Sequence, residues 1–181
     1  MLISVAPWIE DLADAFQAFA LGDAATGEAK RDAAFDAVPD MPGELDGVAF
    51  DWLADADARF GPALEMIVGG KYGLVPLDAV TQIKCEGPKD LRDLVWLPVQ
   101  IAFRTGHSAA AFIPARYPGS EASTDNAIRL ARATTWRDGA SGQEGLGQRL
   151  LSLSDGADVD LLSLRKLTLT VPTATPKSDS P

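Results

Sequence analysis

The chain has 181 residues, with 26 acids against 16 lysines and arginines, a formal charge of −10 and a hydrophobic fraction of 46%. Residues 1–62 carry 13 acids and 3 bases, whereas residues 63–181 balance at zero, so the whole net charge sits in the first third. DNA and RNA binders need a basic face that displaces counterions, and anionic membranes attract the same sign, so this balance argues against both as partners.

Residues 8–20, WIEDLADAFQAFA, place Trp8, Leu12, Phe16 and Phe19 at helical spacing with acids between them, and predict an amphipathic helix. Pro7 suits a first turn and Gly22 a stop. The alanine-rich stretch 24–38 predicts a second helix closed by Pro39 and Pro42. Together they make a helical hairpin over residues 1–42, resembling one tetratricopeptide-like repeat. A single repeat cannot bury its own face and has to lean on something else.

After residue 43 the pattern alternates. Residues 45–54 read as a strand. Residues 63–77 predict a hairpin about Gly69-Gly70, residues 79–85 a strand, and residues 86–95 a polar connection. Residues 96–103 and 108–115 flank a second hairpin turn, Arg104-Thr105-Gly106-His107. A short helix is expected over 124–135, and a third hairpin about Asp155-Gly156 joins 146–153 to 159–170. The expected fold class is therefore α+β: an N-terminal αα-hairpin, then a mainly antiparallel β domain of six to eight strands over 43–170 with one short helix. The Pro- and Ser/Thr-rich residues 171–181 predict a disordered tail. No apolar run reaches the ~18–20 residues that span a bilayer. MLISVAPWIEDL lacks a basic leader region, and Cys85 has no second cysteine to pair with, which fits a cytoplasmic protein.

The chemistry-bearing candidates are few. Asp51, Asp55 and Asp57 invite a metal or acid–base reading, because alternate strand residues share a face and divalent cations favour clustered carboxylates. Their spacing lacks the pattern of a calcium loop, which favours turn bonding and pairing with Arg59. His107, expected at a hairpin tip, lacks the pocket a general base needs. Cys85 reads as a small apolar filler, and the Gly-rich stretches match neither a phosphate loop nor a dinucleotide fingerprint. Arg92, Arg116, Arg129, Arg132, Arg137 and Arg149 lie in polar connections, several with acids close by in sequence. They read either as a salt-bridge lattice fixing loops to the sheet or as a polar binding face, with Trp96, Tyr117 and Trp136 near enough to stack on them.

Five phrases carry more than this: FDWLADADARFGPALEMIVGGKYGLVPL, DLRDLVWLPVQI, IPARYPGSEAS, IRLARATTWRD and EGLGQRLL, in that order. Together they resemble the C-terminal part of the ImpE family, whose members are also called SciE-type or TagJ proteins, over about residues 31–166. The resemblance implies a non-enzymatic accessory protein of the bacterial type VI secretion system, without cofactor or metal. Its implied partners are the N-terminal helix of the small sheath subunit and, indirectly, the ATPase that dismantles the contracted sheath. Family members usually carry more helical repeats than the single hairpin seen here, so this is either a shortened member or a start inside a longer gene. The family supplies no catalytic set. The expected partner-binding residues are Trp8, Leu12, Phe16 and Phe19 as a groove wall, and Arg92, Trp96, Arg116, Tyr117, Arg132, Trp136 and Arg149 as a docking face. The competing reading is a small metal-dependent or hydrolytic enzyme using Asp55, Asp57 and His107.

Overall fold

Two helices lead into the β structure. The computed structural model describes residues 6–170, so the tail expected to be disordered lies outside the described residues. Helix α1 (Trp8–Ala20) begins after Pro7, whose φ of −56° is already helical. Helix α2 (Ala24–Asp36) is capped by Asp23, whose carboxylate accepts the Thr26 N–H at 3.1 Å. That bond also holds the Asp23 carboxyl below its ordinary pKa. Lys30 on α2 bridges Asp11 and Asp14 on α1 at 2.9 and 3.2 Å. The apolar stripe of α1 turns inward: Trp8, Ile9 and Leu12 are buried with Ala34 of α2 and Ala63 of the β structure. Burying Trp8 and Leu12 contributes about 1.5–3 kcal/mol each, which is how the lone hairpin finds its support.

Thirteen strands follow among the described residues, more than the six to eight expected. In chain order the first eight are β1 (Gly43–Leu45), β2 (Val48–Phe50), β3 (Leu53–Asp55), β4 (Ala63–Val68), β5 (Lys71–Pro76), β6 (Val80–Lys84), β7 (Trp96–Phe103) and β8 (Ser108–Pro114). They are followed by β9 (Thr134–Gly139), β10 (Gly142–Gly147), β11 (Leu150–Leu153), β12 (Asp158–Asp160) and β13 (Lys166–Leu169). A short helix α3 (Asn126–Arg129) precedes β9. Eight strands form one antiparallel sheet in the order β2-β1-β13-β6-β7-β8-β4-β5. Strands β12-β11-β3 form a second sheet, and β9-β10 a separate hairpin. The main core lies between the two larger sheets. Leu97, Val99, Ile101 and Phe103 alternate inward on β7 and join Leu151, Leu153 and Leu161 in one buried cluster. The fold class is thus α+β, with α1 and α2 preceding the β structure and the short α3 packed near β10.

Three departures from the sequence reading have physical causes. The expected strand 45–54 is broken between β1 and β2 by a two-residue hairpin at Asp46 (φ 50°) and Gly47 (φ 92°), and again at Asp51-Trp52 before β3. Asp-Gly with both φ positive is the mirror-image turn that matches strand twist. The Asp46 carboxylate then accepts the Arg165 and Lys166 N–H groups, tying this turn to the start of β13. The expected helix 124–135 stops at Arg129, and the chain goes on into the β9-β10 hairpin, which was not expected. The third hairpin does not continue to 170. A 3-10 turn, Leu161–Ser163, lifts the chain out of β12 so that β13 joins the large sheet between β1 and β6. The same order of hairpin, 3-10 turn and strand occurs in β4-β5, Leu77–Ala79 and β6. In both, the turn's first N–H reaches back to the residue before the hairpin: Leu77 to Pro62 at 3.0 Å and Leu161 to Arg149 at 2.9 Å.

Candidate functional site

The residues chosen from sequence fall into three groups once folded. The first is interior. Trp8 and Leu12 are buried, and the Trp8 indole Nε1 donates to Asp78 at 3.2 Å. Phe16 is half-buried, its ring 5.6 Å from that of Phe60. Phe19 is half-buried and lies so close to Gly27 that a Cβ there would strike its ring. The stripe expected to wall a partner groove is therefore packed against the chain itself, because the β structure covers the face that a neighbouring repeat would otherwise cover.

The second group is a buried ion network. Arg149 is wholly removed from solvent, with its guanidinium paired to both Asp55 and Glu65. It packs against both rings of the stacked Phe60–Tyr117 pair, at 4.5 and 4.9 Å from their centroids. Asp55 accepts the Tyr117 hydroxyl and the Asp57 N–H, both at 2.9 Å. Asp57 accepts the Arg59 backbone N–H and Nε at 2.9 Å, Arg59 Nη2 at 2.6 Å and the Gly145 N–H at 2.7 Å. Burial raises the Asp55 pKa, against the pull of Arg149. Burial also works against the Arg149 charge, yet Asp55 and Glu65 outweigh it and hold the guanidinium above its ordinary pKa. Burial and the neighbouring Asp55 push the Tyr117 phenol well above the tyrosine range. Each of the four carboxylate oxygens of Asp55 and Asp57 thus already accepts a hydrogen bond. The two acids do not share a strand face, since β3 ends at Asp55 and Asp57 lies in the following turn. His107 is exposed in the turn between β7 and β8 and makes no side-chain hydrogen bond to either acid.

Of the six arginines read as either a lattice or a binding face, Arg149 alone sits at the centre of this network, beside Arg59, which pairs with Asp57. Sequence reading missed Glu65 and Phe60. Glu65 is an acid in an otherwise apolar strand, ALEMIV, and that isolation is the signal that could have marked it. Tyr117 and Arg149, expected on a docking face, are interior because their polar groups are satisfied there. Trp136 is 38% exposed and tilts against Tyr117 at 5.9 Å.

The third group is exposed. Arg92 pairs with Asp90 at 2.6 Å, Arg116 donates to the Arg129 carbonyl, and Arg132 faces solvent. Arg92 and Trp96 share an opening, a cavity of about 490 Å³ whose lining also includes Asp93 and, on the outer face of the large sheet, Ile67, Pro98 and Phe112. Phe112 is 45% exposed although it lies mid-strand. The same face continues into a groove of about 620 Å³ whose charged lining is Lys84, Arg165, Lys166 and the ion pair of Lys89 with Glu86. Phe112, Lys84 and Lys166 on this face escaped the sequence reading, because alternation identifies two faces of a strand but not which one stays uncovered. Among the described residues no helix is long and apolar enough to cross a membrane.

The interior thus holds a charge lattice, and the large sheet keeps an open, mixed apolar and charged face. The ImpE protein family model matches residues 47–168, and the chain belongs to that family. It is 43% identical over 162 residues to the "Type VI secretion system accessory component TagJ" of Pseudomonas aeruginosa, an alignment covering 90% of this chain and 56% of that protein. The chain thus spans little more than half the length of that relative. Its fold is similar to the crystal structure of protein VPA1032 from Vibrio parahaemolyticus, with a TM-score of 0.79 at 19% identity, covering 90% of this chain and 61% of the other.

Proposed function

We propose that this chain acts as a non-enzymatic accessory protein of a type VI secretion system, working in the cytoplasm by binding another protein. The observation that carries the reading is the 43% identity to a relative named as an accessory component of that system. The proposed partner is the N-terminal helix of the small sheath subunit, with a functional link to the ATPase that dismantles the sheath. The site chemistry supports a binding role. The buried acids and arginines neutralise one another, and His107 stands apart from them, so the enzyme reading built on Asp55, Asp57 and His107 finds no assembled site. The test is calorimetry of the purified chain with the sheath subunit and with a peptide of its N-terminal helix. Binding with a Kd below ~100 μM, a range calorimetry resolves, supports the reading; no heat with either ligand overturns the named partner.

A further inference from the structure

We propose that the outer face of the large sheet, from β8 across β7 to β13, docks an acidic amphipathic segment of a partner protein. This rests on the binding-protein reading above and specifies the surface and the partner's charge. Strand register aligns Tyr72, Ile67, Phe112 and Pro98 in one row across β5, β4, β8 and β7. Phe112 and Trp96 stand 45% and 39% exposed on this face. Two residues along the strands, the next row on the same face runs Ala110, Gln100, Lys84, Lys166 across β8, β7, β6 and β13. An apolar row therefore lies about 7 Å from a row ending in two lysines.

Lys84 and Lys166 are directly opposite each other, and among the described residues neither ammonium has an ion-pair partner. Like charges facing across strands destabilise the pair, and a carboxylate between them would offset that cost. Arg165 lines the same groove, adding positive charge while its guanidinium donates to the Leu162 and Leu164 carbonyls. The acidic helices do not cancel this field. Trp8 is anchored on Asp78, beyond the opposite end of β6 from Lys84, so α1 packs at the far end of that strand from the paired lysines. Apolar row and cations together match a segment with an apolar stripe flanked by Asp or Glu. Residues 171–181 do not match, because they carry one lysine and one aspartate. Helix α1 of a second copy does not match, because its apolar stripe of Trp8, Ile9 and Leu12 is already buried against its own chain.

The test uses the full chain and two labelled designed helical peptides of about 16 residues, long enough to cross the face. Both carry the same leucine stripe, one with glutamates and the other with lysines on the polar side. Fluorescence anisotropy at about 50 mM salt is expected to give roughly tenfold tighter binding for the glutamate peptide. The K84E/K166E variant should lose roughly tenfold, and F112S should weaken both peptides. Both variants change exposed positions, and an unchanged melting temperature checks their folding. Equal affinity for the two peptides, or binding unaffected by K84E/K166E, overturns the proposal. So does a dimer seen by sedimentation that F112S dissolves, which would assign the face to a second copy. Co-purification with the sheath subunit separates the two readings. Sheath binding retained in K84E/K166E, with no preference for the glutamate peptide, overturns this face and leaves the accessory role standing. Failure to bind the sheath subunit, with the glutamate preference present, overturns the named partner and supports the face.

Discussion

Arg149 and Asp55, 94 positions apart in sequence, form a direct guanidinium–carboxylate pair in which both side chains are fully buried. Taking two charges out of water costs several kcal/mol per ion, and their attraction offsets this only while the partners stay complete. Arg149→Met should leave Asp55 and Glu65 buried and unpaired, with a loss of about 3–5 kcal/mol in denaturant unfolding. Replacing Arg149, Asp55 and Glu65 together by apolar residues should cost less than Arg149→Met alone, because no orphaned charge remains. A triple variant less stable than the single one would contradict this account.

The two tyrosines make the alkaline limb of stability informative. Tyr72 donates to Glu65, and burial with that acceptor pushes its phenol from 10.0 up to about 12. A folded pKa above the unfolded one means the folded chain holds the proton longer. The contribution is complete below pH 10 and disappears as pH rises through about 12. Absorbance at the phenolate wavelength should therefore stay low past pH 10 in the folded chain and jump on unfolding. Tyr72→Phe should flatten the loss of stability between pH 10 and 12.

Gly147 has a φ of 95°, and a Cβ there would be driven into the Ala133 carbonyl oxygen. Its N–H also donates to the Ser120 hydroxyl at 2.8 Å. Gly147→Ala should cost about 2 kcal/mol or more, combining left-handed strain with a backbone clash. Gly70→Ala is the control. Its φ of 75° carries strain but no atom lies within 4 Å, so it should cost distinctly less. Equal losses at the two glycines would show that the clash is relieved by movement.

Trp8 is the anchor between the helices and the β structure. Trp8→Ala removes its packing on Leu12 and Ala63 and its bond to Asp78, and should cost about 3–5 kcal/mol. If the helices depend on this contact, the variant's helical signal should melt before its β signal, whereas the unaltered chain should melt in one transition. A variant that still melts in one step at an unchanged temperature would refute the anchoring role.

Local sequence alone defined both helices, because the Trp8, Leu12, Phe16 stripe of α1 and the alanine-rich run of α2 closed by Pro39 are features of adjacent residues. It also located the hairpins at Gly69-Gly70, at 104–107 and at Asp155-Gly156, where turn chemistry is written in adjacent residues. The Asp46-Gly47 turn was equally local, yet a longer apolar alternation masked it. What adjacent residues do not encode is partnership across the chain. Nothing near Arg149 in sequence specifies that Asp55 and Glu65 will enclose it.

The sequence by itself determined the acidic first third, the α+β succession and the family-like phrases, since composition, period and word order are properties of the chain. Only the tertiary structure decided which apolar and charged residues face water. Trp8 and Tyr117 went inside, whereas Phe112 and Trp96 stayed on an open sheet face beside Lys84 and Lys166. The reason is physical: a strand always offers two faces, and the core can cover only the one that the second sheet reaches.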